Sequence, residues 1–170
     1  MKPEFKGVFP APPTPVTEDG RINEKGLRAL LEDNIAHGCG GFWMAGSTGE
    51  GPVLTEEQRD AVAGISAEVC KGRALINSTT AEAKKMAALF PLAKMYDSEI
   101  ICLTLDEKGI PNDANSRCEL ALGMITTAME FDITPDRIFL DPLALPVGAA
   151  QDQGMKVLEA LKQFKTLCHP

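Results

Sequence analysis

The chain has 170 residues, of which 44% are hydrophobic and 24% are charged, a composition typical of globular proteins. Its net charge of −7, without any lysine or arginine cluster, argues against nucleic-acid binding, which needs a positive surface. The sequence contains no apolar run long enough to cross a membrane and no apolar signal-peptide core near Met1, so we expect a cytoplasmic protein with no membrane contact.

Five strand-then-helix units follow one another along the chain. The predicted strands are residues 7–11, 42–45, 74–77, 100–104 and 138–140. Asn23 is a candidate N-cap for the first helix, and Gly38 is placed to end it. Thr55 with Gln58 is a capping-box pair that opens the second helix. Pro91 should kink or split the third helix.

This repeat predicts a parallel sheet with right-handed crossovers. A closed barrel needs eight such units, so we predict a single α/β domain over residues 1–170 that forms a partial TIM-type (β/α) barrel of about five units. An open doubly wound parallel sheet is the alternative. In both folds the carboxyl ends of the strands carry the functional site, so polar residues at those ends are the candidates.

The cysteines and histidines do not indicate a metal site. The five cysteines are scattered at long spacings, and the sequence has only two histidines. These spacings fit neither a disulfide framework nor a zinc site, so we expect reduced cysteines and no metal.

The turn Gly46–Glu50 follows the second predicted strand and is the first candidate site. Its two glycines allow close approach of a ligand, and the Ser47 and Thr48 hydroxyls can hold a carboxylate or phosphate. A tight turn capped by these hydroxyls, with no ligand, is the alternative. Further short motifs lie on either side of this turn, at Gly7–Ala11, Thr14-Pro15, Asp19-Gly20, Leu54-Thr55, Glu57 and Arg59.

With these motifs, residues 1–73 resemble the dihydrodipicolinate synthase and N-acetylneuraminate lyase family. The resemblance implies that Ser47 and Thr48 bind the carboxylate of a pyruvate-like small-molecule substrate. That family also needs a strand-end lysine to form a Schiff base and a tyrosine to relay protons. None of the later predicted strands contains a lysine, and the single tyrosine, Tyr96, falls at a helix end.

Residues 75–167 resemble a second family, the methyltetrahydrofolate:corrinoid methyltransferases of the pterin-binding barrel group. The matching stretches are Ile76–Glu82, Leu89–Lys94, Ile100–Pro111, Asp141–Leu143 and Gln151-Asp152. The resemblance implies that Asn77 and Asp141 bind the pterin ring of tetrahydrofolate, with Asp106 as a further contact. Asn77 as a helix cap and Asp141 as a turn former are the structural alternatives.

The second resemblance is also incomplete. That family has a further aspartate on the strand before the one matching Asn77, and a further asparagine on the strand after Leu167; neither has a counterpart here. The sequence has no corrinoid-binding motif, so a corrinoid would have to be carried by a partner protein. We therefore expect a seam near residue 73 between residues 1–73 and 74–170.

Our first interpretation of the function is a chimeric barrel that binds tetrahydrofolate, like a methyltransferase, with little or no activity alone. The alternatives are a pyruvate-dependent aldolase or lyase and a non-catalytic scaffold. Because an open parallel sheet leaves unpaired edges, we also expect a homo-oligomer formed through them.

Overall fold

The computed structural model describes residues 6–70, 74–146 and 148–167, with residues 74–77 described by their backbone alone. Helices and strands alternate along this part of the chain. The helices are α1 (Glu24–Ala36), α2 (Glu56–Val69), α3 (Ala83–Met95), α4 (Ala114–Glu130) and α5 (Gln153–Leu167). The strands are β1 (Gly41–Trp43), β2 (Ala74–Thr80), β3 (Glu99–Leu103) and β4 (Ile138–Asp141), and short 3-10 helices cover Gly51–Val53 and Pro135–Arg137.

The strands of the described sheet follow the order β1-β2-β3-β4. β1 pairs in parallel with β2, with Gly41 opposite Ala74, and β3 pairs in parallel with β4, with Ile100 opposite Ile138. A sheet order that matches the chain order is typical of a (β/α) barrel, whereas a doubly wound sheet reverses its order partway. The fold is therefore a partial (β/α) barrel, as predicted, and not the doubly wound alternative.

The segment Gly7–Ala11, predicted as the first strand, is not a strand in the structure. It runs beside β1, where the Val8 carbonyl accepts a hydrogen bond from the Gly40 N–H at 3.0 Å and the Pro10 carbonyl accepts one from the Trp43 N–H at 2.9 Å. A ladder also needs donors from the segment itself, and Pro10 has no N–H to donate. The prediction of this strand was wrong for that reason.

The predicted helix ends agree with the structure. The Asn23 side chain accepts from the Gly26 N–H at 2.9 Å, and Gly38 after α1 has a φ of +87°, in the left-handed region. At the start of α2, the Gln58 N–H donates to the Thr55 hydroxyl at 3.2 Å and the Thr55 N–H donates to the Gln58 side chain at 2.8 Å. The capping box is therefore formed in both directions.

In the middle of the chain, the structure excludes the predicted split at Pro91 and extends the strand that was predicted to end at Asn77. α3 is one helix through Pro91, so the helix is not split. Pro91 and Ala87, whose carbonyl loses its partner at this position, are both exposed, so water can satisfy that carbonyl. β2 extends to Thr80 rather than ending at Asn77, because the β-branched Thr79 and Thr80 favour extended backbone.

The chain divides into two compact units, Met1–Asn77 with Met95–Glu99 and Ser78–Lys94 with Ile100–Pro170. Each unit has its own apolar core. The core of the first unit contains Leu27, Leu31, Phe42, Met44, Leu54, Val62, Ile65 and Cys70. The main core of the second unit contains Met86, Phe90, Ala93, Ile100, Cys102, Met124, Ile125, Ala128, Ile133 and Ile138. Burying each large side chain stabilises its unit by about 1.5–3 kcal/mol.

None of the described helices combines the length and hydropathy needed to span a bilayer. The single domain with a seam near residue 73 stays a prediction.

Candidate functional site

The first candidate site is the turn that follows β1 in the first unit. Ala45 and Glu50 both have left-handed backbone, with φ of +49° and +55°. The Gly51 N–H donates to the Gly46 carbonyl at 3.1 Å and closes the turn. A Cβ on Gly51 would lie 1.8 Å from the Ala45 carbonyl oxygen, so only glycine fits at this position. The turn is therefore held in one backbone conformation by close packing.

Two side chains from outside the turn support it. The Thr14 hydroxyl donates to the Gly49 carbonyl at 2.6 Å. The Arg59 guanidinium donates to the carbonyls of Leu54, at 2.8 Å, and Gly51, at 3.3 Å. Thr14 and Arg59 belong to the sequence motifs quoted above, but nothing in the sequence indicated that they act on this turn. The spacing of 35 residues between Thr14 and Gly49 is bridged only by the fold.

Ser47 and Thr48 lie at the exposed part of this turn. Within the described residues, neither hydroxyl forms a hydrogen bond with another group, so both remain available to a ligand. Hydroxyl donors on a fixed turn suit a carboxylate, because hydrogen bonds to a charged acceptor are stronger than those to a neutral one. The assignment of Ser47 and Thr48 as ligand-binding residues remains a prediction.

The second candidate site lies in the second unit, at the carboxyl ends of β3 and β4. Asp141 is the last residue of β4, and Asp106 comes three residues after the end of β3. Thr104 joins the two strand ends, because its backbone N–H and its hydroxyl donate to the Asp141 carbonyl at 3.0 and 3.1 Å. The structure thus places both predicted aspartates at the same edge of the parallel sheet.

Both aspartates also form turns, as the structural alternative for Asp141 expected. Asp106 accepts from the Lys108 N–H at 2.8 Å, and Asp141 accepts from the Leu143 N–H at 2.8 Å. Each bond uses only the Oδ1 atom, and the Oδ2 atoms form no hydrogen bond within the described residues. Both side chains are half-buried. Each carboxylate is therefore oriented by its own loop, and its role in ligand binding stays a prediction.

Asn77, the third residue predicted for the pterin site, lies within β2, three residues before the strand ends at Thr80. Its side chain is outside the described part of the structure. The carboxyl end of β2 instead carries Thr79 and Thr80, which are buried, and the Thr80 hydroxyl contacts the Glu82 carboxylate at 3.0 Å. Threonine is common in strands for its backbone preference alone, so the sequence offered no signal that these residues line a strand end.

A buried arginine holds the loop after β3. Arg117 on α4 is 0% exposed, and it donates to the Pro111 carbonyl at 3.1 Å and to the Gln153 side chain at 2.8 Å. Gln153 in turn donates to the Asn112 side chain at 2.6 Å. The loop that contains Asp106 is therefore attached at its far end to α4 and to the start of α5. Sequence reasoning missed this arginine because it sits on a helix whose other predicted inward residues are apolar.

Among the described residues, no three His, Cys, Asp or Glu side chains cluster closely enough to hold a metal ion. Within the part of the chain that the structure describes, Cys39, Cys70, Cys102 and Cys118 form no disulfide bond.

The chain is similar to parts of two kinds of enzyme. The methylcorrinoid:tetrahydrofolate methyltransferase of Eubacterium limosum is 37% identical over 82 residues, which are 47% of this chain and 30% of that protein. The 4-hydroxy-tetrahydrodipicolinate synthase of an Exiguobacterium species is 38% identical over 76 residues, which are 45% of this chain and 26% of that protein. The chain thus spans about a third or less of the length of these relatives.

Solved structures share the fold over most of the chain. The N-acetylneuraminate lyase of Mycoplasma synoviae superposes with a TM-score of 0.63 at 26% identity, over 92% of this chain and 51% of that one. The prophage protein YagE of E. coli K12, a dihydrodipicolinic acid synthase family member crystallised with pyruvate, superposes with a TM-score of 0.61 at 22% identity, over 80% of this chain and 44% of that one.

The family match concerns more than the first two strand–helix units. Residues 4–92 match the Dihydrodipicolinate synthetase family, so the match covers just over half of the chain and continues past residue 73 into α3. These findings favour the lyase alternative over the pterin-binding interpretation that we placed first from the sequence. The chain belongs to the Dihydrodipicolinate synthetase family.

Proposed function

We propose that this chain binds the carboxylate of a pyruvate-like 2-oxo acid at the turn Gly46–Glu50, as part of an aldolase or lyase of its family. The observation that carries the proposal is the turn itself, in which the Ser47 and Thr48 hydroxyls are exposed and unbonded on a backbone fixed by Gly51 and Thr14. A ligand that meets such preorganised donors loses less entropy on binding than one that must order them.

The catalytic step of a pyruvate aldolase needs a lysine that forms a Schiff base. The strands β1 to β4 contain no lysine in the sequence. The Tyr96 hydroxyl lies near Gly64 of α2, at 3.4 Å from where a Cβ on that glycine would be. We therefore propose substrate binding for these 170 residues, and we assign the covalent chemistry to the whole protein only as an expectation from its family.

Titration with pyruvate, followed by NMR chemical shifts or calorimetry, tests this proposal. The double variant Ser47→Ala with Thr48→Val should bind pyruvate at least about tenfold more weakly, because it loses two charge-assisted hydrogen bonds. Thr126→Val is the matched control, since Thr126 is exposed on α4 and its hydroxyl donates to the Leu122 carbonyl. Equal pyruvate affinity in all three proteins would contradict the proposal.

Borohydride reduction in the presence of pyruvate separates binding from covalent chemistry. We expect the mass of the chain to stay unchanged, because no lysine lies on β1 to β4. A pyruvate adduct, located by peptide mapping, would instead identify a Schiff-base lysine and extend the proposal to aldolase chemistry within these residues.

A second candidate function is pterin binding, and the similarity to the Eubacterium limosum methyltransferase favours it. In this proposal the Oδ2 atoms of Asp106 and Asp141, both in the second unit, accept from the donor edge of tetrahydrofolate. Any corrinoid would be held by a partner protein. Asn77, which the resemblance to the methyltransferases also implies, belongs to the first unit together with Ser47 and Thr48.

Tetrahydrofolate titration distinguishes the two candidates. Asp141→Asn should weaken tetrahydrofolate binding about tenfold and leave pyruvate binding unchanged. Asp132→Asn is the control, because Asp132 is exposed and has the left-handed backbone (φ +58°) that asparagine tolerates. The absence of any heat or shift change with tetrahydrofolate would remove this candidate.

A further inference from the structure

Trp43, the single tryptophan of the chain, is the last residue of β1 and lies shortly before the turn Gly46–Glu50. Its neighbours Phe42 and Met44 are 0% and 6% exposed, and both belong to the core that β1 forms with α1 and α2. Because side chains alternate along a strand, Trp43 projects from the opposite face of β1, away from these helices. In a (β/α) barrel that face is the interior, and the strands lead along it to the functional site.

The indole ring of Trp43 packs against the first residue of the turn. A Cβ on Gly46 would lie 3.1 Å from both Cδ1 and Nε1 of Trp43, with Cε2 next at 4.0 Å. Glycine at position 46 therefore lets the ring lie this close to the backbone. The three nearest ring atoms include Nε1, so the edge of the indole that carries the N–H borders the turn one residue before Ser47.

The indole N–H of Trp43 is a hydrogen-bond donor without an acceptor. Within the described residues it forms no hydrogen bond, although the side chain is half-buried. Tryptophan N–H groups in such surroundings usually have a partner, because an unpaired donor costs free energy. The Ser47 and Thr48 hydroxyls of the same turn are also unbonded within this part of the chain. An ionised carboxylate offers about four lone-pair positions, so one carboxylate can satisfy all three donors.

We propose that Trp43 is a further binding residue of this site, and that its indole N–H donates to the carboxylate of the bound 2-oxo acid beside the Ser47 and Thr48 hydroxyls. This role rests on the function proposed above and adds a residue that the sequence motifs did not indicate. The indole is a rigid ring whose N–H edge is held against Gly46, so the third donor is preorganised like the other two. The face of the ring offers an apolar surface to the rest of a small acid.

NMR titration of the full chain with pyruvate tests this role on the wild type. Because the chain has one tryptophan, its nitrogen–proton correlation spectrum contains a single indole N–H signal. We expect that signal to move downfield with the same dissociation constant as the backbone amides of Ser47 and Thr48, since the proton is deshielded by a bond to a charged acceptor. In the double variant Ser47→Ala with Thr48→Val, the same signal should move only at correspondingly higher pyruvate concentrations.

Two aromatic substitutions separate the donor from the ring. Trp43→Phe keeps an aromatic side chain on β1 and removes the N–H, so it should bind pyruvate about five- to tenfold more weakly. Tyr96→Phe is the matched control, because it also removes one aromatic donor from the first unit, where Tyr96 lies beside Gly64 of α2. Its pyruvate affinity should equal that of the wild type.

The possible results distinguish this role from the function on which it rests. Shifts of the Ser47 and Thr48 amides without movement of the indole signal would overturn the role of Trp43 and leave carboxylate binding at the turn intact. Equal pyruvate affinities of Trp43→Phe and the wild type would do the same. A wild-type spectrum that pyruvate does not change at all would refute the proposed function, and the role of Trp43 with it.

Discussion

Replacing Gly51 with alanine is the most direct way to test whether the turn Gly46–Glu50 is held rigidly. A Cβ on Gly51 would lie 1.8 Å from the Ala45 carbonyl oxygen and 2.7 Å from its carbon. Both are backbone atoms, so no side-chain rotation can relieve the contact. The turn, or the 3-10 helix Gly51–Val53 that follows it, must shift to accept the methyl group.

The size of the effect follows from comparison with a second glycine. Overpacking usually costs about 1–3 kcal/mol, and we expect Gly51→Ala to reach about 3 kcal/mol because the clash is with backbone. Gly123 lies inside α4, and a Cβ there would meet nothing within 4 Å. Gly123→Ala should therefore stabilise the chain by about 0.8–1 kcal/mol, the difference in helix propensity. The two substitutions add the same methyl group, but we expect one to lower the free energy of unfolding and the other to raise it.

Urea unfolding of the wild type and both variants measures these free energies, and pyruvate titration of Gly51→Ala reports on the turn. We expect Gly51→Ala to lose stability and to bind pyruvate more weakly, with both properties unimpaired in Gly123→Ala. If Gly51→Ala were within about 0.5 kcal/mol of the wild type, the turn would be able to relax and the reasoning from packing would be refuted.

Three further predictions concern single interactions, each measured by urea unfolding. Thr55→Ala removes the capping box of α2 and should cost about 1 kcal/mol; no loss would mean that the cap is unimportant. Arg117→Met leaves the Pro111 carbonyl and Gln153 without their charged donor and should cost about 2 kcal/mol, and a more stable variant would contradict this. Hydrogen bonds from the Ser116 backbone N–H and hydroxyl hold the pKa of Asp113 below its ordinary 3.8, so its stabilisation is complete above about pH 5 and is lost as the pH falls through 3.8 and below. The wild type should therefore lose more stability than Asp113→Asn over that range, and parallel pH profiles would refute the prediction.

The elements that the sequence predicted well depend on short-range interactions. Asn23 caps α1 through an N–H three residues away, and Thr55 and Gln58 satisfy each other within one turn of helix. Such contacts form between neighbours in the chain, so the residue pattern is enough to identify them. The strand-then-helix repeat is similarly local, and it was enough to predict a (β/α) fold.

The features that the sequence could not predict depend on which other residues pack beside a segment in the folded chain. Gly7–Ala11 has the composition of a buried strand, yet Val8 is 67% exposed, and the carbonyls of Val8 and Pro10 accept hydrogen bonds without the segment forming a strand. The pattern also could not show that one oxygen of Asp141 is used by its own loop while the other is left over. Both features depend on atoms that are brought close by the fold, and patterns of neighbouring residues do not give the positions of those atoms.

Residue patterns alone were enough to predict the alternation of helices and strands and the helix caps, and to propose Ser47, Thr48, Asp106 and Asp141 as candidate site residues. The strand order, which excludes the doubly wound alternative, could be read only from the folded chain. The same is true of the contacts by which Thr14 and Arg59 support the turn Gly46–Glu50 and the residues after it. The physical reason is the range of the interactions, because caps and periodicity act within a few residues whereas packing joins residues that are far apart in the chain.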